Sequence, residues 1–295
     1  MKKIILFVVS LFIADLAWVQ QVPSDTEKSV GKHGRIEQVV ERGHRVIRFV
    51  DKTGKKLKEL PVDSKDTVVR VRKDKGFRPG DFKVKISTQL AQDIEDMRKG
   101  SKRDIALIRK ESKEARVVRD NQYLVLEESV SNFLEYADAD DSERAESAAE
   151  SSLLTHVYDR EGNKILELSG DEGCQPVVSN TGHFFVVTVG EYAGAKILNR
   201  NREVLAEFDA TVGPVFFSMN DKYILAVKYN PSSKTGLSTL TVFDTKENKF
   251  SEVTIPWGVF AADEIPEIDE TGRKLIMRHA WDPATKAAKV DTIQF

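Results

Sequence analysis

Tyr158-Asp159-Arg160-Glu161-Gly162-Asn163-Lys164-Ile165-Leu166-Glu167-Leu168 is the stretch on which the fold turns. An apolar residue runs into Asp, a polar turn ends in Gly, and a second alternating run follows. Asp, Asn and Gly accept the positive φ of a tight turn, and the alternation gives each flanking strand one buried face. The pattern recurs at Leu198-Asn199-Arg200-Asn201-Arg202-Glu203-Val204-Leu205 and at Phe243-Asp244-Thr245-Lys246-Glu247-Asn248-Lys249-Phe250. An earlier copy is Val50-Asp51-Lys52-Thr53-Gly54-Lys55-Lys56-Leu57-Lys58-Glu59-Leu60. Later copies fall roughly 40 residues apart, a period of solenoids, propellers or arrays, because one such hairpin cannot bury its apolar face alone.

A second motif lies between these copies. It is found at Val177-Val178-Ser179-Asn180-Thr181-Gly182-His183-Phe184-Phe185-Val186-Val187 and at Phe216-Phe217-Ser218-Met219-Asn220-Asp221-Lys222-Tyr223-Ile224-Leu225. Related forms are Val117-Val118-Arg119-Asp120-Asn121-Gln122-Tyr123-Leu124 and Ile268-Asp269-Glu270-Thr271-Gly272-Arg273-Lys274-Leu275. Each predicts a short strand, a polar turn and a second strand rich in β-branched and aromatic residues. Apolar pairs such as Phe184-Phe185 and Ile224-Leu225 suit strands covered on both faces, as inner strands of a propeller blade are. The two motifs alternate as inner and outer hairpins.

This alternation resembles the TolB-like and WD-repeat-like β-propellers of secreted bacterial proteins. The Ser-x-Asp-Gly type of inner turn is matched in part by Ser179-Asn180-Thr181-Gly182, Ser218-Met219-Asn220-Asp221 and Asp269-Glu270-Thr271-Gly272. The resemblance covers residues 115–295 and the outlying copy at 46–60. It lacks a Gly-His…Trp-Asp signature and a repeated tryptophan motif. It implies an all-β, propeller-like repeat domain of about five blades, or four plus an N-terminal module. Ring closure would pair residues 35–50 with the final strand at 289–295, removing the open edges.

The chain has 295 residues, 40% of them hydrophobic and 31% charged, an ordinary globular composition. Cys174 is the single cysteine, so no intrachain disulfide forms and packing supplies stability. Lys2 and Lys3 precede an apolar run over residues 4–13, the order of a secretory signal peptide. Cleavage is expected after Ala17, leaving residues 18–34 as a linker and a product in the periplasm or outside the cell. No further long apolar run follows, so the mature chain is expected to carry no membrane span.

Charge divides the chain. Residues 28–120 carry 27 Lys and Arg against 15 Asp and Glu, a net of +12, and residues 121–295 carry 16 against 29, a net of −13. The basic part, residues 35–114, is expected to hold β hairpins and a helix-containing insertion. Leu90, Ile94 and Met97 fall at helical spacing within it. Arg70, Arg72, Lys73, Lys75 and Arg78 are the candidate binding residues, for a protein or an anionic envelope polymer rather than nucleic acid. The same charges could instead join the two halves of the chain.

Catalytic motifs are not found. His33, His44, His156, His183 and His279 have no metal-ligand spacing, and His-Glu-x-x-His, Cys-x-x-Cys and Gly-x-Ser-x-Gly are all missing. The acidic stretch around Asp138-Ala139-Asp140-Asp141-Ser142-Glu143 lacks the glycine and terminal glutamate of an EF-hand loop, and Asp140 is expected to cap a short helix. No cofactor, metal or catalytic residue is predicted. Trp257, Trp281 and Tyr192 are candidates to line a binding face or to pack. A non-catalytic interaction module is the leading reading, and an enzyme with a site at a central channel is the alternative.

Overall fold

The computed structural model describes residues 34–72, 85–101, 103–140, 149–170, 176–188, 194–208, 212–228, 237–256, 267–282 and 287–295. The signal segment, Lys73, Lys75, Arg78, Cys174, Tyr192, Trp257 and the helix expected after Asp140 lie outside them.

Among the described residues nineteen strands are arranged in five antiparallel sheets that follow one another along the chain. The first holds β1 (Arg35–Glu41), β2 (His44–Val50) and β3 (Lys56–Pro61). The second holds β4 (Lys65–Val71), β5 (Ile105–Val118), β6 (Tyr123–Tyr136), β7 (Glu150–Asp159) and β8 (Lys164–Ser169), with helix α1 (Thr88–Gly100) between β4 and β5. β9 (Val177–Val178), β10 (Phe184–Thr188), β11 (Ala195–Asn199) and β12 (Val204–Phe208) form the third. β13 (Val212–Phe217), β14 (Tyr223–Lys228), β15 (Leu237–Asp244) and β16 (Lys249–Pro256) form the fourth. β17 (Glu267–Asp269), β18 (Lys274–Asp282) and β19 (Ala287–Gln294) form the fifth. The fold is all-β and propeller-like: consecutive meander sheets, each packed face to face on the next.

The packing follows from the alternation. Phe49 and Ile47 of the first sheet meet Leu124, Leu126 and Tyr158 of the second. Tyr123 and Val157 of the second meet Phe185, Val187 and Leu198 of the third. Ile197 and Phe208 of the third meet Ile224 and Phe243 of the fourth, and Tyr223 and Leu225 of the fourth meet Leu275 and Met277 of the fifth. The inner apolar pairs are sandwiched as expected: Ile224 and Leu225 are both fully buried, one facing each neighbouring sheet.

The outer turns are copies of one another. The Asp51 amide donates to the Lys55 carbonyl, and its carboxylate accepts from the Thr53 and Lys55 amides at 2.8 and 2.9 Å. Asp159 repeats this with Glu161 and Asn163, and Asn199 repeats it with Asn201 and Glu203. Asp244 keeps the side-chain half, accepting from Lys246 and Glu247. Gly162 holds φ +82°, and its carbonyl accepts from Lys58 of the first sheet, so this turn also serves as a packing surface.

Two expectations are corrected or confined. Ring closure is not formed among the described residues: β1 pairs with β2 and β19 with β18, in separate sheets. At the edge of β1 the Asn121 side chain, from the second sheet, takes the N–H and C=O of Ile36. The helical spacing holds: Leu90 and Ile94 are buried, and Ser87 caps α1 by accepting from the Leu90 amide at 3.0 Å. β5 runs without a break across residues 114 and 115, so the insertion and the repeats share a strand.

Candidate interaction surface

β5 and β6, fourteen residues each, are twice as long as β4, the strand that carries Arg70. β4 pairs with residues 105–111 of β5, and period-two alternation sorts the resulting three-stranded sheet into two faces. One face, with Val69, Val71, Ile105, Leu107, Leu134 and Tyr136, lies under Leu90, Ile94 and Met97 of α1. The other carries the rows Val68–Ile108–Phe133, Arg70–Ala106–Glu135 and Asp66–Lys110–Ser131. Val68 is 58% exposed, Ile108 and Phe133 are half-buried, and the Lys110 ammonium stands 5.1 Å from the Phe133 ring centre.

Arg70 shares this open face, and Arg72 follows directly after the strand; both are exposed. Neither forms an ion pair with another described side chain, whereas four other cations of the region do. Arg98 pairs with Glu95, Arg103 with Asp138, Arg109 with Glu111 and Lys113 with Glu128. The structure therefore brings Arg70 and Arg72 together beside an apolar strip. Sequence reading missed Val68, Ile108 and Phe133 as parts of the same surface. Alternation in residues 65–71 was the available signal, but the pairing with β5, nearly forty residues away, was not.

The inner turns form a contrasting polar line. Ser179 and Ser218 each close a turn by accepting from an amide five residues on, Phe184 at 3.1 Å and Tyr223 at 3.0 Å. Asp221, only 1% exposed, sends its carboxylate back to the preceding sheet, where the Asn180 and Thr181 amides and the Thr181 hydroxyl donate to it. Glu270 does the same for the Asn220 amide at 2.9 Å. Arg119 Nε donates to the Val178 carbonyl at 2.7 Å; burial holds its pKa below the ordinary value, opposed by the Asp221 charge. Gly182 occupies the turn position equivalent to Asp221, and a Cβ there would sit 2.6 Å from the Tyr123 ring. Asp221, Glu270 and Arg119 thereby join neighbouring sheets.

The remaining titratable groups do not converge. Among the described residues no three of His, Cys, Asp and Glu stand together as metal ligands would. His44 Nδ1 lies 2.7 Å from Asp63, and His156 Nδ1 lies 3.4 Å from Glu167. Burial pushes the His156 pKa down, with Lys164 and Lys113 adding to it and Glu128 and Glu167 opposing. His183 is exposed in its turn beside the Thr181 hydroxyl. No helix among the described residues is long and apolar enough to cross a membrane.

A cavity of about 590 Å³ opens between β1 and β5, lined by Gln38, Val40, Arg45, Lys113, Ala115 and Arg116 among others. Val46 and Ile47 of β2, with Val62 and Ser64, also line it.

No family model matches the chain, and no curated protein matches it. Solved structures to which it is similar include acylaminoacyl peptidase from Pyrococcus horikoshii (10% identity, TM-score 0.34, 57% of this chain and 29% of that one). Another is the β-propeller domain of the Trilobed protease from Pyrococcus furiosus (10%, 0.32, 57% and 51%). A third is the Swd1 β-propeller domain from Myceliophteria thermophila (8%, 0.28, 90% and 86%). The chain spans less than a third of the length of the acylaminoacyl peptidase chain it resembles. Strand order and turn chemistry define the fold, and these likenesses attach no activity to it.

Proposed function

We propose that this chain is an exported, non-catalytic interaction module whose projecting sheet captures an acidic protein partner. The single observation that carries the reading is the open face of β4–β5–β6. There, exposed Val68 sits with the exposed cations Arg70 and Arg72, which form no ion pair with a described side chain, while Arg98, Arg103, Arg109 and Lys113 nearby are paired. A desolvatable apolar strip rimmed by free cations supports binding to a carboxylate-rich surface that carries a few apolar side chains. Secretion follows from the basic and apolar order of the first seventeen residues.

Titrating the full chain with poly-glutamate at increasing salt tests the surface. The Debye length shrinks from about 10 Å at 0.1 M to about 3 Å at 1 M, so affinity should fall steeply. Arg70→Glu with Arg72→Glu should abolish it. Equal binding by that variant would overturn the assignment, and retention of a sulfated polysaccharide in place of poly-glutamate would make the ligand an envelope polymer. Export is tested separately by Val8→Asp with Val9→Asp, which should hold the precursor in the cytoplasm.

A further inference from the structure

Two charged rows flank the apolar strip on the open face of β4–β5–β6, and their charges run in opposite order. On one side of Val68–Ile108–Phe133 lies Arg70–Ala106–Glu135, and on the other lies Asp66–Lys110–Ser131. Read from β4 toward β6, the first row goes from cation to carboxylate and the second from carboxylate to cation. Asp66 and Arg70 are exposed and Glu135 is half-buried, and none of the three forms an ion pair with a described side chain. Asp66 and Arg70 stand four residues apart on one strand, about 13 Å, so they are out of each other's reach.

Such a pattern is complementary to itself. A second copy laid face to face on this one is related to it by a two-fold axis lying between the two sheets, and the same patch then serves both copies. An axis along the strands would place β4 over β6 of the copy. It would stack Lys110 on Lys110 and drive the copy's β6 into the third sheet, which packs on this same side over Tyr123 and Val125. An axis along the apolar row avoids both conflicts. Val68, Ile108 and Phe133 then meet their own counterparts, and Arg70 of each copy meets Asp66 of the other. Lys110 lies opposite Ala106; it leans toward β6, 5.1 Å from the Phe133 ring centre, and on that side it finds Glu135 of the copy.

We propose that the open face of β4–β5–β6 docks on the same face of a second copy of this chain, giving a two-fold dimer with an apolar row at its centre and Arg70–Asp66 contacts on both sides. The inference rests on reading this face as an interaction surface, and it names the partner. β4 is seven residues long. At about 3.3 Å per residue, with three strands about 4.8 Å apart, the patch measures roughly 20 by 15 Å. That is the small end of specific interfaces, so the dimer is transient, with a dissociation constant of roughly tens to hundreds of micromolar. Burial of Val68, 58% exposed in the single chain, supplies attraction, and the charge order fixes the register.

Sedimentation velocity on the full chain, from about 1 μM to about 1 mM, tests the dimer. The unmodified chain should pass from monomer to dimer across that range. Arg70→Asp sets carboxylate against carboxylate, and Asp66→Arg sets guanidinium against guanidinium, each twice per dimer. Either change alone should raise the dissociation constant more than tenfold. Mixed together, the two variants should associate as the unmodified chain does, because every altered residue then meets an opposite charge. Since the mixing experiment uses the same two proteins that fail alone, a folding defect cannot imitate it. A chain that stays monomeric at about 1 mM, or a mixture that does not associate, overturns the proposal. A monomeric chain whose poly-glutamate binding is still abolished by Arg70→Glu with Arg72→Glu sinks this inference and spares the functional reading. A dimer that obeys the mixing rule, with poly-glutamate binding unchanged in that variant, spares this inference and sinks that reading.

Discussion

The inner turns and the projecting sheet are both rich in polar side chains, and they spend them differently. At the turns the carboxylates of Asp221 and Glu270 find their partners on the neighbouring sheet. Asp221 takes three donors from Asn180 and Thr181, and Glu270 takes two from Asn220. On the projecting sheet Arg70 and Arg72 stand beside an exposed valine without an ion-pair partner among described residues. A buried charge without partners is costly, so the interior can keep only those it satisfies. Exposed cations carry no such constraint. Charge at the turns therefore reports on architecture, and charge on the open face reports on what the surface meets.

This contrast can be broken from the interior outward. Gly182→Ala should cost about 2–4 kcal/mol, combining the strain of an L-residue at φ +66° with a clash against the buried Tyr123 ring. Urea unfolding reads it directly. Asp221→Ala should cost about 2–3 kcal/mol, because the Asn180 and Thr181 amides lose a charged acceptor in a dry site. Gly54→Ala has the same positive φ but open space around the new methyl, so only the conformational cost of about 1 kcal/mol should remain. A Gly54 loss equal to that at Gly182 would mean that packing between sheets contributes nothing at these turns.

The next effect is smaller and depends on pH. His156 is held below its ordinary pKa by burial, so the unfolded chain binds a proton more readily than the folded one. Its neutral form contributes stability fully above the unfolded value of about 6.5, and that contribution is lost as pH falls through the lower folded value. The urea midpoint should drop between pH 7.5 and 5.5, and His156→Asn should reduce the drop. Smallest of all, Arg70→Glu with Arg72→Glu should change stability by no more than about 0.5 kcal/mol, since neither side chain is paired or buried. A large loss there would show the cations to be structural and erase the distinction between the two regions.

Much of the repeat architecture was legible because turns are local. Asp51, Asp159 and Asn199 each bond residues two and four positions ahead, and such bonds leave a signature within five letters of sequence. The α1 core positions were legible for the same reason. Ring closure was misjudged because it depends on which strand reaches the edge of β1. That is settled by Asn121, 85 residues away, whose side chain has no local pattern to announce it. The candidate surface was half legible. Arg70 and Arg72 stood out by charge, but the apolar strip exists only once residues 65–71 register against 105–111, which no short window contains.

The short reach of the inner turns also bears on how the molecule comes apart. Asp221 and Glu270 each bond the sheet before them, Asn121 and Arg119 of one turn bond the sheets before and after theirs, and none of these turns reaches past an immediate neighbour. Sheets linked only to their immediate neighbours behave as a one-dimensional chain of coupled units. The fifth sheet, with a single neighbour to hold it, should therefore open at lower free energy than the third or fourth. Slow amide exchange should accumulate toward the middle of the array, around Phe185, Ile224 and Leu225, and thin out toward Ile268 and Ile293.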